Sequence, residues 1–208
     1  MPDERKPDLS LFVDILKTLE RIKAPYMIIG AFAGTVYGIN RVTFDIDIVV
    51  DLSEKHVQAL SDSYPLPRYY ADPVMMQNSI EMGIMFNIID TERGEKADLV
   101  PLSGTLDYRP AFERRVRQLV EVSGTEPFEV WCARAEDVVI GKLLAWKEGR
   151  SRKHETDIFD IMVFHYSKED SDLKESQIDE YARRLGNDTN RLWQDIKRDA
   201  KNEVNKDG

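Results

Sequence analysis

The chain has 208 residues, a hydrophobic share of 42% and a formal net charge of −9 at pH 7. This is enough apolar content for a folded core and excludes a disordered composition. An acidic total argues against a general nucleic-acid binder, which needs clustered Lys and Arg to neutralise phosphate.

No apolar run reaches the roughly 20 residues of a membrane span, and the N-terminus shows no apolar signal segment. The single cysteine, Cys132, can form neither an internal disulfide nor a thiolate cluster. A cytoplasmic protein with no membrane association is therefore expected. Two local basic clusters interrupt the acidic total: Arg109, Arg114, Arg115 and Arg117, and then Lys147, Arg150, Arg152, Lys153 and His154. Each is either local basic surface or a solvated helix face.

In chain order, Leu9, Leu11, Phe12, Ile15, Leu16, Leu19 and Ile22 recur at helical spacing and predict a helix over 8–22. Pro25 ends it, and Tyr26–Ile29 reads as a short buried strand. Gly30 opens a second helix, over Ala31–Gly38. Residues 43–50 suit a central strand through Phe44, Ile46, Ile48, Val49 and Val50. A short helix is predicted over 54–63, and 64–82, with several Pro and Tyr, reads as an irregular connection. A hairpin follows, with arms Ile84–Ile89 and Ala97–Leu102 and a polar turn at Thr91–Glu95. Phe112–Val116 is a short helix or the approach to a strand at Leu119–Val122, and Phe128–Cys132 is a further strand. From Ala135 the pattern turns helical: Val138, Val139, Leu143, Leu144 and Trp146, then a helix over Glu155–His165, then Ile178–Arg184 and Asn190–Lys201. The polar tail at 202–208 is expected to fray. The order predicts an α+β fold: a mixed β-sheet core flanked by helices over 1–133, and an α-helical C-terminal region over 134–208.

The informative segment is Thr43-Phe-Asp-Ile-Asp-Ile-Val-Val. Strand side chains alternate, so Asp45 and Asp47 share one face. Two carboxylates side by side repel unless a cation lies between them. Mg²⁺, or Mn²⁺, takes oxygen ligands and retains positions for substrate phosphate, which is the need of a two-metal phosphoryl-transfer site. Asp98, between Ala97 and Leu99 on the second hairpin arm, is costly there unless paired or metal-bound. It completes a triad if the two strands are neighbours. The bland alternative for the Asp-x-Asp pair is an exposed strand face. Gly30 and Ala31 lie at a strand-to-helix turn whose N–H groups can meet phosphate. Arg41 and Thr43 bring a cation and a hydroxyl just ahead of the pair.

Gly30-Ala-Phe-Ala, Arg41-Val-Thr-Phe-Asp45-Ile-Asp47 and Ala97-Asp98-Leu-Val together resemble the DNA polymerase beta-type nucleotidyltransferase superfamily. Ala135-Glu-Asp-Val-Val-Ile-Gly-Lys142-Leu-Leu-Ala, followed by Arg150 to Asp157-Ile-Phe-Asp160-Ile, resembles its abortive-infection (AbiEii) toxin-like branch. The resemblance spans about residues 26–165. It implies the following roles. Asp45, Asp47 and Asp98 hold Mg²⁺. Gly30 and the Ala31 backbone contact the triphosphate, with Arg41 and Thr43 nearby. Lys142 neutralises phosphate, and Asp157 is the branch's late acidic residue. Ala31 departs from the family's usual Gly or Ser and supplies no hydroxyl. The rival for Lys142 is a surface lysine lying along Trp146, and for Asp157 a charge complementing a helix N-terminus. Trp131, Trp146 and Trp193 read as core residues, as does Cys132.

The expected activity is transfer of a nucleoside monophosphate (NMP) from a nucleoside triphosphate (NTP) to a hydroxyl, releasing pyrophosphate. The acceptor would be an RNA 3′ end such as tRNA, a protein or a small molecule. The resemblance adds a toxin–antitoxin or phage-defence setting and a cognate antitoxin or toxin as partner. The alternatives are a non-catalytic protein of the same fold and an antibiotic-type nucleotidyltransferase.

Overall fold

The computed structural model describes residues 9–40, 46–104, 108–122 and 125–207. They fall into two compact units. One comprises the described residues of 1–32 and 42–132, and the other those of 33–41 and 133–208.

The first unit is built on a mixed seven-stranded sheet, flanked by helices. Its opening helix α1 (Ser10–Arg21) buries Leu11, Phe12, Ile15, Leu16 and Leu19, the residues spaced at helical intervals. Strand β1 (Tyr26–Ile29) runs straight into a short helix, α2 (Gly30–Thr35). Strand β2 (Asp47–Val50) pairs antiparallel with β1, placing Ile29 opposite Asp47. Helix α3 (Glu54–Ser63) is capped by Ser53 and His56, each accepting from the other's backbone N–H. The hairpin is β4 (Phe86–Asp90) and β5 (Glu95–Pro101). β5 lies parallel to β2 on its other side. Strands β6 (Val116–Val120) and β7 (Phe128–Cys132) form a second antiparallel pair, and β7 joins β1 in parallel. With β3 (Tyr69–Tyr70) at the far edge, the order is β3-β4-β5-β2-β1-β7-β6. β2, at the centre, buries Ile48, Val49 and Val50 on both faces, the continuous apolar run of an interior strand.

The segment 64–82, expected to be irregular, contains β3 and a full helix, α4 (Pro73–Met82). Its ends explain it. The Asp72 carboxylate accepts from the N–H groups of Val74 at 2.8 Å and Met75 at 3.1 Å, Pro73 takes the first turn, and Gly83 closes the helix in the left-handed region. These start and stop signals outweigh the Pro and Tyr content that suggested a loop. Helix α5 (Arg109–Glu113) starts three residues ahead of the short helix considered at Phe112–Val116, and β6 begins at Val116, three residues before the expected strand start at Leu119.

In the second unit, α6 (Ala135–Gly149), α7 (Arg152–Tyr166), α8 (Glu175–Leu185) and α9 (Asn187–Asp207) pack around Ile158, Ile161, Met162, Ile178 and Trp193. The Trp193 indole N–H donates to Asp179 at 2.6 Å, which satisfies its one polar atom inside this core. Two details differ from expectation. α7 begins at Arg152, three residues ahead of the expected start at Glu155, so Arg152, Lys153 and His154 form its first turn. α9 continues helical through 202–207, where the tail was expected to fray; an ion pair between Lys206 and Glu203 at 3.0 Å supports that last turn.

Residues 33–40 belong with this unit, although they precede the expected boundary by about a hundred positions in the chain. The Tyr37 hydroxyl donates to the Ala133 carbonyl at 2.9 Å, and Gly38, at φ +98°, lies against Phe164 so closely that a Cβ would stand 2.5 Å from that side chain. The overall class is α+β, with the all-α C-terminal part that the periodicities predict. Among the described residues, no helix is long and apolar enough to cross a membrane.

Candidate active site

Sheet register brings two of the three expected carboxylates together. Asp47 on β2 and Asp98 on β5 are direct partners across two parallel strands, so both side chains rise from the same face. Asn87 on β4 is the partner of Asp98 on its other side. One rung of the sheet therefore carries Asn87, Asp98, Asp47 and Ile29 in succession. The turn from β1 into α2 follows at once. Gly30 takes φ +71° there and lies against the Asp47 carboxylate, its missing Cβ leaving room for Oδ2. Asp45, Arg41 and Thr43 lie outside the described residues.

Asp98 is well supplied with donors. The Asn87 amide donates to its Oδ1 at 2.5 Å, and the Lys96 ammonium donates to Oδ1 at 3.1 Å and Oδ2 at 3.2 Å. Lys96 and Asp98 are two apart on one strand and so share a face. Neither Asn87 nor Lys96 is marked out in the linear sequence. Asn87 becomes visible only when the hairpin is aligned in register, and Lys96 only when its distance from Asp98 is read as a strand repeat.

Among the described residues, no group of three or more His, Cys, Asp or Glu side chains is placed to hold a metal ion. Two carboxylates of the expected triad are present and meet on one rung, half-buried, with the glycine turn keeping space beside one of them. An all-oxygen pair of this kind fits a hard divalent cation such as Mg²⁺ or Mn²⁺.

The remaining expected residues lie in the second unit. Lys142 on α6 and Asp157 on α7 form an ion pair at 2.5 Å, with side chains 6% and 0% exposed. The rival reading of Lys142 as a surface lysine is thereby excluded, and Asp157, in the second turn of α7 and fully buried, is not a solvated cap charge. Trp146 turns its indole N–H to Glu155 at 2.7 Å, and Arg150 stacks over its ring at 4.2 Å while pairing with Asp188 at 3.2 Å. In the first unit, Arg115 lies over Phe112 and Trp131, and Arg117 pairs with Glu20 and Glu129. Much of the first basic cluster is thus stacked or neutralised within the fold. Trp131 is half-buried under these arginines, whereas Trp146 and Trp193 are core residues, as expected. Cys132 is buried, and burial pushes its thiol up to about 12, which removes it as a nucleophile.

Carboxylates facing each other on adjacent strands beside a glycine turn are the layout expected of a nucleotidyltransferase, and the protein is an enzyme of that class. The chain belongs to the family described as nucleotidyl transferase AbiEii toxin, Type IV TA system, whose model matches residues 89–207, more than half of its length. That match includes Asp98, Lys142 and Asp157 and begins beyond Gly30 and Asp47. No curated protein matches the chain significantly by sequence.

Among solved structures, the fold is similar to an antigenic nucleotidyltransferase-like protein from Paracoccidioides brasiliensis, at 17% identity over 91% of this chain and 92% of that one, with a TM-score of 0.49. It is similar also to the antibiotic-resistance factor ANT(2'')-Ia, at 14% identity over 85% and 90% with a TM-score of 0.48. A third similar structure is described as a "putative nucleotidyltransferase from H. pylori", at 12% identity over 96% of this chain and 95% of that one, with a TM-score of 0.39.

Proposed function

We propose that the enzyme transfers NMP from an NTP to a hydroxyl on an RNA 3′ end, tRNA being the first candidate, or on a protein, in a reaction that requires Mg²⁺ or Mn²⁺. The observation that carries this reading is the shared rung of Asp47 and Asp98, with Gly30 laid against Asp47. Asp45, two residues before Asp47, is the third carboxylate of the set.

The acceptor oxygen attacks the α-phosphorus of the NTP. The bond from that phosphorus to the bridging oxygen breaks, and pyrophosphate leaves. Asp98 receives the hydroxyl proton, and its Asn87 partner keeps the accepting oxygen aimed at the face it shares with Asp47. Asp45, Asp47 and Asp98 would hold divalent metal, which would supply Lewis-acid stabilisation of the charge on the transferring phosphoryl group. Gly30 and Ala31 offer backbone N–H groups to the triphosphate, and Arg41 and Thr43 lie next to the acidic pair in sequence. Positioning then supplies most of the rate. The family points to a toxin acting in a toxin–antitoxin pair, with a cognate antitoxin as its partner.

The test is label transfer from each α-³²P NTP to total RNA, to tRNA and to protein, with and without EDTA, using wild type, Asp47→Asn and Asp98→Asn. Transfer that is lost with EDTA and in both variants supports the proposal. Transfer that persists in EDTA removes the metal. A wild type that transfers label to none of these acceptors, and that also binds no NTP by calorimetry, moves the reading to the non-catalytic alternative.

A further inference from the structure

A cationic donor lies beside the paired carboxylates. Lys96 reaches both oxygens of Asp98, at 3.1 and 3.2 Å, while Asn87 holds Oδ1 from the neighbouring strand. An ionised carboxylate offers about four lone-pair positions. Three contacts fill most of them, and one of the two donors carries a full positive charge. A divalent cation brought to Asp98 would stand within a few ångströms of that ammonium and be repelled by it.

The two donors differ in how they can respond. Asn87 sits on a short stem on a strand paired on both sides, between β3 and β5. Lys96 is on a long flexible stem, and its side chain is 54% exposed against 16% for Asp98. Lysine can therefore withdraw into water at little cost, whereas asparagine stays.

We infer that Lys96 is a built-in counter-cation: it neutralises Asp98 in the metal-free enzyme and must swing away for divalent metal to bind, while Asn87 remains as the residue that orients Asp98. This rests on the reading of Asp47 and Asp98 as metal ligands. Lys96 thus sets the metal concentration at which the site is loaded. It makes an empty site stable, and it makes loading a competition between a tethered monovalent cation and a free divalent one.

Mn²⁺ binding, followed by electron paramagnetic resonance and calorimetry, tests the inference on wild type, Lys96→Met, Lys96→Arg, Asn87→Ala and Asp47→Asn. Thermal melts with and without Mn²⁺ accompany it. Lys96→Met should bind Mn²⁺ about tenfold more tightly than wild type, and its metal-free melting temperature should fall, with the gap closing once Mn²⁺ is saturating. Lys96→Arg should bind more weakly than wild type, because a guanidinium grips a carboxylate through two parallel bonds. Asn87→Ala should weaken binding, opposite in sign to Lys96→Met. If wild type binds Mn²⁺ in a way that Asp47→Asn abolishes, and Lys96→Met leaves the affinity unchanged or lower, the counter-cation role is overturned while the metal site stands. If wild type binds no Mn²⁺, or Asp47→Asn binds it equally well, the metal reading of the site fails and the inference falls with it.

Discussion

Gly30 and Asp47 are matched to each other: a Cβ on Gly30 would stand 2.5 Å from Oδ2 of Asp47, and the glycine holds φ +71°. Both conditions favour glycine, since any Cβ here is strained and crowds the carboxylate. Gly30→Ala would cost about 1–2 kcal/mol in backbone strain alone and would also push the carboxylate off its rung. The melting temperature should fall modestly while label transfer falls by about a hundredfold or more. Parallel melts and transfer assays check this, and an active Gly30→Ala enzyme would show that the close approach is incidental.

Lys142 and Asp157 form an ion pair with almost no solvent access. Removing one partner strands a buried charge, so Lys142→Met or Asp157→Leu alone should destabilise by about 3–5 kcal/mol. The double replacement should recover most of that loss, since two apolar side chains can pack where the pair stood. Urea unfolding of the three variants measures the coupling. A stable double variant that no longer binds NTP would assign the pair to the nucleotide as well.

His165 is buried, with Nδ1 at 3.0 Å from the Ser171 hydroxyl and rings of Tyr37 and Phe164 nearby. Burial holds its pKa below the usual histidine value, Lys168 lowers it further and Asp172 opposes them. The folded state thus resists protonation, while the unfolded chain binds a proton near pH 6.5. Stability contributed by neutral His165 is complete above that pH and is lost as pH falls below it. Melts from pH 7.5 to pH 5 should show a decline that His165→Gln reduces.

The Cys132 thiol is buried and held at about 12. It should react with a disulfide reagent at neutral pH only on the timescale of unfolding, and Cys132→Ser should retain transfer activity. Rapid labelling of the native enzyme would contradict its place in the strand core.

The meeting of Asp47 and Asp98 was partly legible, because Asp98 stands out as an acid between apolar neighbours; the shared face expected of Asp45 and Asp47 falls on a position outside the described residues. Asn87 was not legible: an isolated asparagine in a strand carries no signal until the partner strand is laid beside it. α4 was missed although Asp72, Pro73 and Gly83 mark both its ends, because the apolar residues between them do not form a helical stripe. Met76 and Ser79 are its buried residues, while Val74, Met75 and Met82 are exposed. The burial of Lys142 was equally out of reach, since its partner lies fifteen residues away on a different helix. The placement of 33–40 depends on Tyr37 and Phe164 contacts that no local pattern encodes.

That last placement bears on how the chain can be cut. A fragment beginning at 134 would carry α6 to α9 but lack the short tongue whose Tyr37 reaches the Ala133 carbonyl and whose Gly38 covers Phe164. Its apolar seat would be left open, and the excised piece should be prone to self-association. Supplying the tongue as a synthetic peptide, or splicing it ahead of residue 133 by a flexible linker, offers a route to a soluble helical module.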